Sequence, residues 1–310
     1  MKTWIKNNRK LILRGGGTLL AIVLLASLLY QNGWDEVLAA LKRISFWNLA
    51  LAFGCIVISR LLITARWHVL LRSGGVNIPF RQTASLVFTG LFANNFLPTT
   101  IGGDVVRLAG AIQMGYDQAI CLASIAADRV VNMLGMSLAS PLGLWQLSQA
   151  GLLQSLALSG FWKKGWDFAR RTLESFTIWF KKPSALLAAL GLAMLHMLFS
   201  SSANYVLLHG LGESLALWKV IGLFSLAYFV SLIPISINGY GVQELTVTFL
   251  LSQIGGVSVA VSATVAVLHR LLMMLVSLPG ALTLPGVMAN IDRSNPDTQV
   301  DMPPGSGGNA

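Results

Sequence analysis

An all-α polytopic membrane protein is the fold class this sequence predicts: about eight transmembrane helices, with two Pro/Gly-broken segments (re-entrant or half-helix) set in an internal pseudo-repeat. Three observations carry the prediction. Between Lys182 and Asp292 there are only four formal charges, Glu213, Lys219, Glu244 and Arg270. A water-exposed surface of that length needs more polar cover. The composition is 55% hydrophobic and 11% charged, with mean hydropathy +0.68. Finally, two apolar stretches in different halves of the chain are interrupted by closely similar Pro/Gly motifs.

At 310 residues the chain has room for roughly eight spans of about 20 residues with short loops. Residues 1–290 read as a single transmembrane domain and 291–310 as a disordered tail, Pro/Gly-rich and polar from Ser294 onward. The net charge of +10 sits mostly in the N-terminus and two loops, which reads as membrane orientation rather than nucleic-acid binding. Cys55 and Cys121 both lie in apolar stretches, so no disulfide framework is expected.

The first span is expected at about 15–33. Lys2, Lys6, Arg9, Lys10 and Arg14 precede it, placing the N-terminus in the cytoplasm. The apolar run is too long for a signal peptide, and Tyr30-Gln31-Asn32 at its far end offers no small-residue cleavage site. A second span covers about 46–65, with Arg60 inside it and Arg66 at its end. A third covers about 82–98 and is broken at Pro98; a short helix follows at about 103–114, then a span at about 118–139. The stretch 141–160 is moderately apolar, and the sequence leaves open whether it spans or lies on the surface. Further spans are expected at about 184–208 and 218–233, the latter broken at Pro234; a helix at about 239–254 and a span at about 257–288 complete the set. Arg66, Arg72 and Arg81 place the second loop in the cytoplasm. Residues 160–182 carry six basic side chains against Asp167 and Glu174, and Trp162, Trp166, Ala169, Leu173, Phe176 and Phe180 form one helical stripe. An amphipathic helix on the anionic inner leaflet fits that stripe better than a connector packed on the bundle.

The repeat is visible in two motifs. One is Leu97-Pro98-Thr99-Thr100-Ile101-Gly102-Gly103-Asp104-Val105-Val106-Arg107. The other is Ile233-Pro234-Ile235-Ser236-Ile237-Asn238-Gly239-Tyr240-Gly241-Val242-Gln243-Glu244. Each is followed, some thirty residues later, by an arginine in an apolar helix: Asp128-Arg129 after the first, His269-Arg270 after the second. The repeats are read as about 82–140 and about 218–288; whether they run parallel or inverted stays open. Proline stops a helix, and in lipid the amides it frees must find protein, water or ligand. A matched pair of broken spans points to a transporter site at the repeat interface.

After each break a helix N-terminus presents unpaired N–H groups and a positive dipole end, a setting that suits phosphate. Thr99, Thr100, Gly102 and Gly103 open the first helix; Ser236, Asn238, Gly239 and Gly241 open the second. Arg107, Arg129 and Arg270 are read as headgroup ligands, steadied by Asp104, Asp128 and Glu244. The alternative is that arginines and acids pair as internal struts. Arg60 and Arg66, near a span end, divide evenly between those roles. The membrane-depth charges leave two positive charges in surplus, which an anionic ligand would balance. Asn94 and Asn95 precede the first break and either cap freed carbonyls or bind a headgroup, capping being the commoner fate. His269 is a minor candidate proton site. No Walker A sequence, dinucleotide loop, zinc-ligand spacing or Gly-x-Ser-x-Gly elbow is present, so no cofactor and no metal are expected.

The two motifs and Asp128-Arg129, together with Arg66-Trp67, resemble the lysylphosphatidylglycerol synthase transmembrane (flippase-like) family, also called UPF0104, from about Trp47 to Leu284. The resemblance implies a multi-pass protein of a bacterial or archaeal cytoplasmic membrane that moves a lipid or lipid-linked group between leaflets. Its partners would be the membrane and an anionic phospholipid or lipid-linked substrate, with a homo-oligomer possible. It makes Asp104, Arg107, Asp128, Arg129 and Glu244 the headgroup and coupling candidates. The chain stops about twenty residues after its last span, so the soluble transferase domain of the synthase, and aminoacyl transfer with it, are expected to be absent. Two other classes compete: an intramembrane enzyme acting on a lipid or polyprenyl phosphate, with Asp104 or Asp128 as base, and a non-transporting membrane partner of a lipid or glycan synthase.

Overall fold

The structure, a computed structural model, describes residues 42–96, 102–151, 182–233 and 239–284. The expected first span, the Pro98 and Pro234 breaks, the amphipathic stretch up to residue 181 and the tail lie outside those residues. Eight α-helices are described: α1 (Phe46–Gly74), α2 (Phe80–Phe96), α3 (Gly102–Gln113), α4 (Gln118–Gln149), α5 (Pro183–Gly210), α6 (Leu217–Ser231), α7 (Val242–Gln253) and α8 (Val259–Ser277), the last running into a 3-10 turn at Leu278–Leu282. The all-α membrane class is confirmed. Three single helices and the α8 unit with its 3-10 turn are long and apolar enough to cross a membrane. At 17, 12 and 12 residues, α2, α3 and α7 are shorter than a full span of about 20 residues.

Local sequence sets the ends. Ser45 caps α1 by accepting from the Asn48 N–H at 3.3 Å, and Asp117 caps α4 by accepting from the Ile120 N–H at 2.8 Å. Pro183 opens α5, where its missing N–H costs nothing. Helix α4 runs through Pro141 to Gln149, so residues 141–149 extend the preceding span and are not a separate element. Proline there leaves the Ser137 carbonyl without its helical donor, and the Ser140 hydroxyl supplies one at 2.8 Å. Two other expected elements are shorter in the structure. Helix α7 starts at Val242 because Gly239 and Gly241 hold positive φ (73° and 76°). Helix α8 ends at Ser277 and passes into a 3-10 turn at Leu278–Leu282 that holds Pro279; residues 285–288 of the expected span lie outside the described residues.

The chain contains the same four-helix unit twice, with reversed direction. Helices α1 and α5 have 29 and 28 residues, α2 and α6 have 17 and 15, and α3 and α7 have 12 each. Helices α1 and α5 pack antiparallel along their length: Asn48 lies against Gly210, Ser59 bonds His196 at 2.7 Å, and Lys182 donates to the Ser73 carbonyl. Helix α4 is antiparallel to α1, through Arg66–Asp128 and Trp67–Ser124, and antiparallel to α6, through Gly143–Gly222 and Gln146–Lys219. Helix α2 is antiparallel to the end of α8, through Asn95–Ser277, Phe88–Gly280 and Thr89–Thr283. Thus α2 and α4 oppose α1, while α6 and α8 run with it and α5 opposes it. Two units whose matching helices point opposite ways form an inverted-topology repeat, with its pseudo-two-fold axis in the membrane plane.

In the first unit α3 folds back along α2. Helices α2 and α3 lie side by side: the Gly103 N–H donates to Asn94, and Gly90 faces the stem of Arg107. Apolar tails give helices in lipid little reason to associate by hydrophobicity, so close packing of small residues does more of the work. The α4–α6 crossing shows this: a Cβ on Gly143 would lie 2.7 Å from Leu226 Cγ and would overlap the Gly222 carbonyl. Gly54, on α1, faces open space.

Gly143→Leu is therefore expected to destabilise the fold by about 1–3 kcal/mol, whereas Gly54→Ala should be neutral or stabilising by about 0.5–1 kcal/mol. Reversible unfolding in mixed micelles measures both; a harmless Gly143→Leu would mean that the crossing is not close-packed.

Candidate functional site: two acid–arginine centres at the repeat interface

The first centre joins α1, α3 and α4. Asp104 lies in the first turn of α3, where the helix dipole favours a carboxylate. Its two oxygens are shared: Oδ1 accepts from Arg107 Nη1 at 3.3 Å, and Oδ2 from both Nε and Nη2 of Arg129. Asp128 accepts from Arg66 Nε at 2.7 Å through Oδ1 and faces Arg107 Nη1 at 3.5 Å through Oδ2. Arg66 also donates to Asn132 at 2.7 Å. The Arg107 guanidinium lies 4.1 Å from the centre of the Trp67 ring, a cation–π arrangement. Its stem passes where a Cβ on Gly90 would sit 2.7 Å from Cγ, so this glycine leaves space for it, while Gly103 lies against Asn94 and the Gly90 carbonyl. Arg107 is 8% exposed, and its Nε and Nη2 are buried with no hydrogen-bond partner.

The second centre joins α7 and α8. Glu244 lies in the first turn of α7; Oε1 accepts from Arg270 Nε, and Oε2 accepts from the Gly241 N–H at 2.8 Å. Arg270 donates through Nη2 to Gln243 at 2.8 Å and lies 4.8 Å from the centre of the Tyr240 ring. The Tyr240 hydroxyl in turn donates to the Asn95 carbonyl, while the Asn95 side chain donates to Ser277 at 3.0 Å. One motif therefore touches the other directly.

The centres are counterparts. Asp104 and Glu244 are each the third residue of their short helix, and Arg129 and Arg270 each the twelfth residue of the helix that follows. Chemistry and position match, but exposure does not: the Arg129 side chain is 61% exposed and that of Arg270 only 10%. The same pair is thus open in one unit and sealed in the other.

Of the residues singled out from sequence, Asp104, Arg107, Asp128 and Arg129 converge at the first centre, with Gly102 and Gly103 at the α3 start. Glu244 and Arg270 converge at the second, beside Gly239 and Gly241. Of the asparagines expected to cap freed carbonyls or bind a headgroup, Asn94 accepts from the Gly103 N–H at 2.8 Å, and Asn95 donates to Ser277 at 3.0 Å while its own carbonyl accepts from Tyr240. Thr99, Thr100, Ser236 and Asn238 lie outside the described residues. Arg66, Arg107, Arg129 and Arg270 each meet an acid, as internal struts do. The sequence reading passed over Asn132, Trp67, Tyr240 and Gln243; the last two lie inside the second motif, which was a signal that could have found them. Beside the second centre, within the second unit, lies a gap of about one water's volume, lined by Phe224, Gln243, Glu244, His269 and Arg270 among others. Among the described residues no group of three metal-ligating side chains occurs.

Long apolar helices beside shorter ones, with acid–arginine pairs between them, define an all-α polytopic membrane protein. The sequence pattern of the lysylphosphatidylglycerol synthase TM region matches residues 16–166 and again 156–280. The chain belongs to that family. It is 31% identical over 152 residues to a UPF0104 membrane protein of Methanothermobacter thermautotrophicus, a match covering 47% of this chain and 42% of that protein. A second match, to a protein described in the same words from the same organism, is 22% identical over 306 residues and covers 82% of this chain and 89% of the relative. In the first of these matches the chain spans less than half of the relative's length.

The unequal burial of the two pairs gives unequal energetics. Arg270→Gln should cost about 3–5 kcal/mol, since it strands a buried carboxylate. Arg129→Gln should cost about 0–1 kcal/mol, as for an exposed pair. Denaturation of the two variants side by side checks this, and equal losses would contradict the asymmetry.

Proposed function

We propose that this protein moves an anionic lipid, or a lipid-linked anionic headgroup, between the two leaflets of a cytoplasmic membrane. The observation that carries the reading is the repetition of one acid–arginine pair in two inverted units, open in the first and sealed in the second. Inverted repeats let a transporter exchange the conformations of its halves, so that a site reached from one side becomes reachable from the other. In the state described, Arg129 is the accessible arginine. Exchange of roles would free Arg270 and seal Arg129.

The charge balance supports an anionic cargo. Arg66, Arg107 and Arg129 exceed Asp104 and Asp128 by one charge, and the buried Nε and Nη2 of Arg107 have no acceptor. A phosphate oxygen supplies two strong acceptors for such a fork. Acyl chains would stay in lipid while the headgroup passes between the units. Arg72, Arg81 and Lys182 gather at one end of the bundle, where α1 ends and α5 begins. By the positive-inside tendency that end faces the cytoplasm, and the N-terminus with it. No nucleophile or metal cluster among the described residues favours an intramembrane enzyme over a carrier.

A leaflet-exchange assay tests the reading. Purified protein in liposomes should accelerate protection of headgroup-labelled anionic lipid from an external quencher, and Arg129→Ala should slow it at least tenfold without loss of fold. Arg107→Ala should do the same. Transport surviving both substitutions would sink the site, and exchange no faster than in empty liposomes would sink the function. Chemical turnover of the labelled lipid would turn the reading to an enzyme.

A further inference from the structure

Arg60 is buried on α1, 8% exposed, and its guanidinium has no hydrogen-bond or ion-pair partner among the described residues. The charged or titratable groups near enough to act on it are basic as well: Arg270 and His269 on α8, and His196 on α5. The nearest acid of that centre, Glu244, is fully engaged, one oxygen by Arg270 and the other by the Gly241 N–H. A buried guanidinium whose charged neighbour is another guanidinium, Arg270, is costly, and something anionic must offset it when the protein is loaded.

The surplus charge is thus divided. One positive charge is in excess at the first centre, expressed in the unpartnered N–H groups of Arg107; one is in excess beside the second centre, at Arg60. Both lie along the same face of α1. Arg107 stacks on Trp67, and Arg60 is two helical turns from Trp67, about 10 Å along the axis. Arg60 lies near Arg270 of the second centre, and the Arg107 guanidinium lies on Trp67 at the first, so each centre has one of the two cations beside it.

We propose that Arg60 and Arg107 form a two-point oxyanion site, and that the preferred cargo carries two phosphate-type groups in one headgroup rather than a single phosphodiester. This inference rests on the transport reading and deepens it: both guanidiniums belong to the first unit, Arg107 on α3 and Arg60 on α1 near Arg270 of the second, and a headgroup with two anionic groups neutralises both at once. Arg66, Arg129 and Arg270, already matched to acids, position the site without being its primary ligands.

The test uses the full chain in lipid nanodiscs, with pyrophosphate and inorganic phosphate as soluble probes and with phosphatidylglycerol or diphosphatidylglycerol as the lipid. Wild-type protein should bind pyrophosphate at least tenfold more tightly than phosphate, and diphosphatidylglycerol should compete with it better than phosphatidylglycerol. Arg60→Gln should leave the ligand-free protein as stable or raise its Tm, because it removes an unpaired buried charge, and should abolish the preference for pyrophosphate. Arg60→Lys should restore part of it. A drop in ligand-free Tm in Arg60→Gln would mean that Arg60 is a structural strut, and an unchanged preference would remove it from the site; either overturns the proposal. Leaflet exchange by wild type with no preference for two phosphates overturns it while leaving the transport reading standing. Neither binding nor exchange overturns both.

Discussion

A guanidinium at membrane depth needs an acceptor, and much of this structure follows from how that need is met. Each of the two units places a carboxylate in the first turn of a short helix, where the dipole favours negative charge, and brings an arginine onto it from the long helix that follows. In the first unit α3 folds back along α2, with the Gly103 N–H taken up by Asn94, and the Tyr240 hydroxyl of the second donates to the Asn95 carbonyl.

Close backbone packing then holds the pairs in place. Gly90 admits the Arg107 stem, Gly103 lies against Asn94 and the Gly90 carbonyl, Gly143 and Gly222 let α4 and α6 touch, and Gly280 rests on the backbone of α2. Removing side chains at these points lets helices approach where apolar attraction alone gives little in lipid.

The asymmetry between the centres is the feature with most bearing on mechanism. Identical chemistry at equivalent positions has two exposures, 61% for the Arg129 side chain and 10% for that of Arg270.

Much of this was legible in the sequence. Sparse charge in the second half required membrane spans; the two Pro/Gly motifs gave the repeat; and Asp104, Arg107, Asp128, Arg129, Glu244 and Arg270 stood out because ionised groups are costly in lipid. Those are properties of composition and spacing, which the chain carries by itself. Helix ends were readable where a local cap decides them, as at Ser45 and Asp117. The direction of the repeat was not readable, because it depends on which helix faces cross: Asn48 against Gly210, Gln146 against Lys219 and Asn95 against Ser277 are contacts between distant segments. Pro141 left its region ambiguous because a neighbouring serine can satisfy the freed carbonyl and let the helix continue. Which arginine meets which acid, and that Arg60 meets none among the described residues, likewise awaited the fold. The sequence alone determined that charges would be buried in a broken-helix repeat; only the tertiary structure decided their pairing, since Coulomb attraction and hydrogen bonding act over a few ångströms that sequence distance does not record.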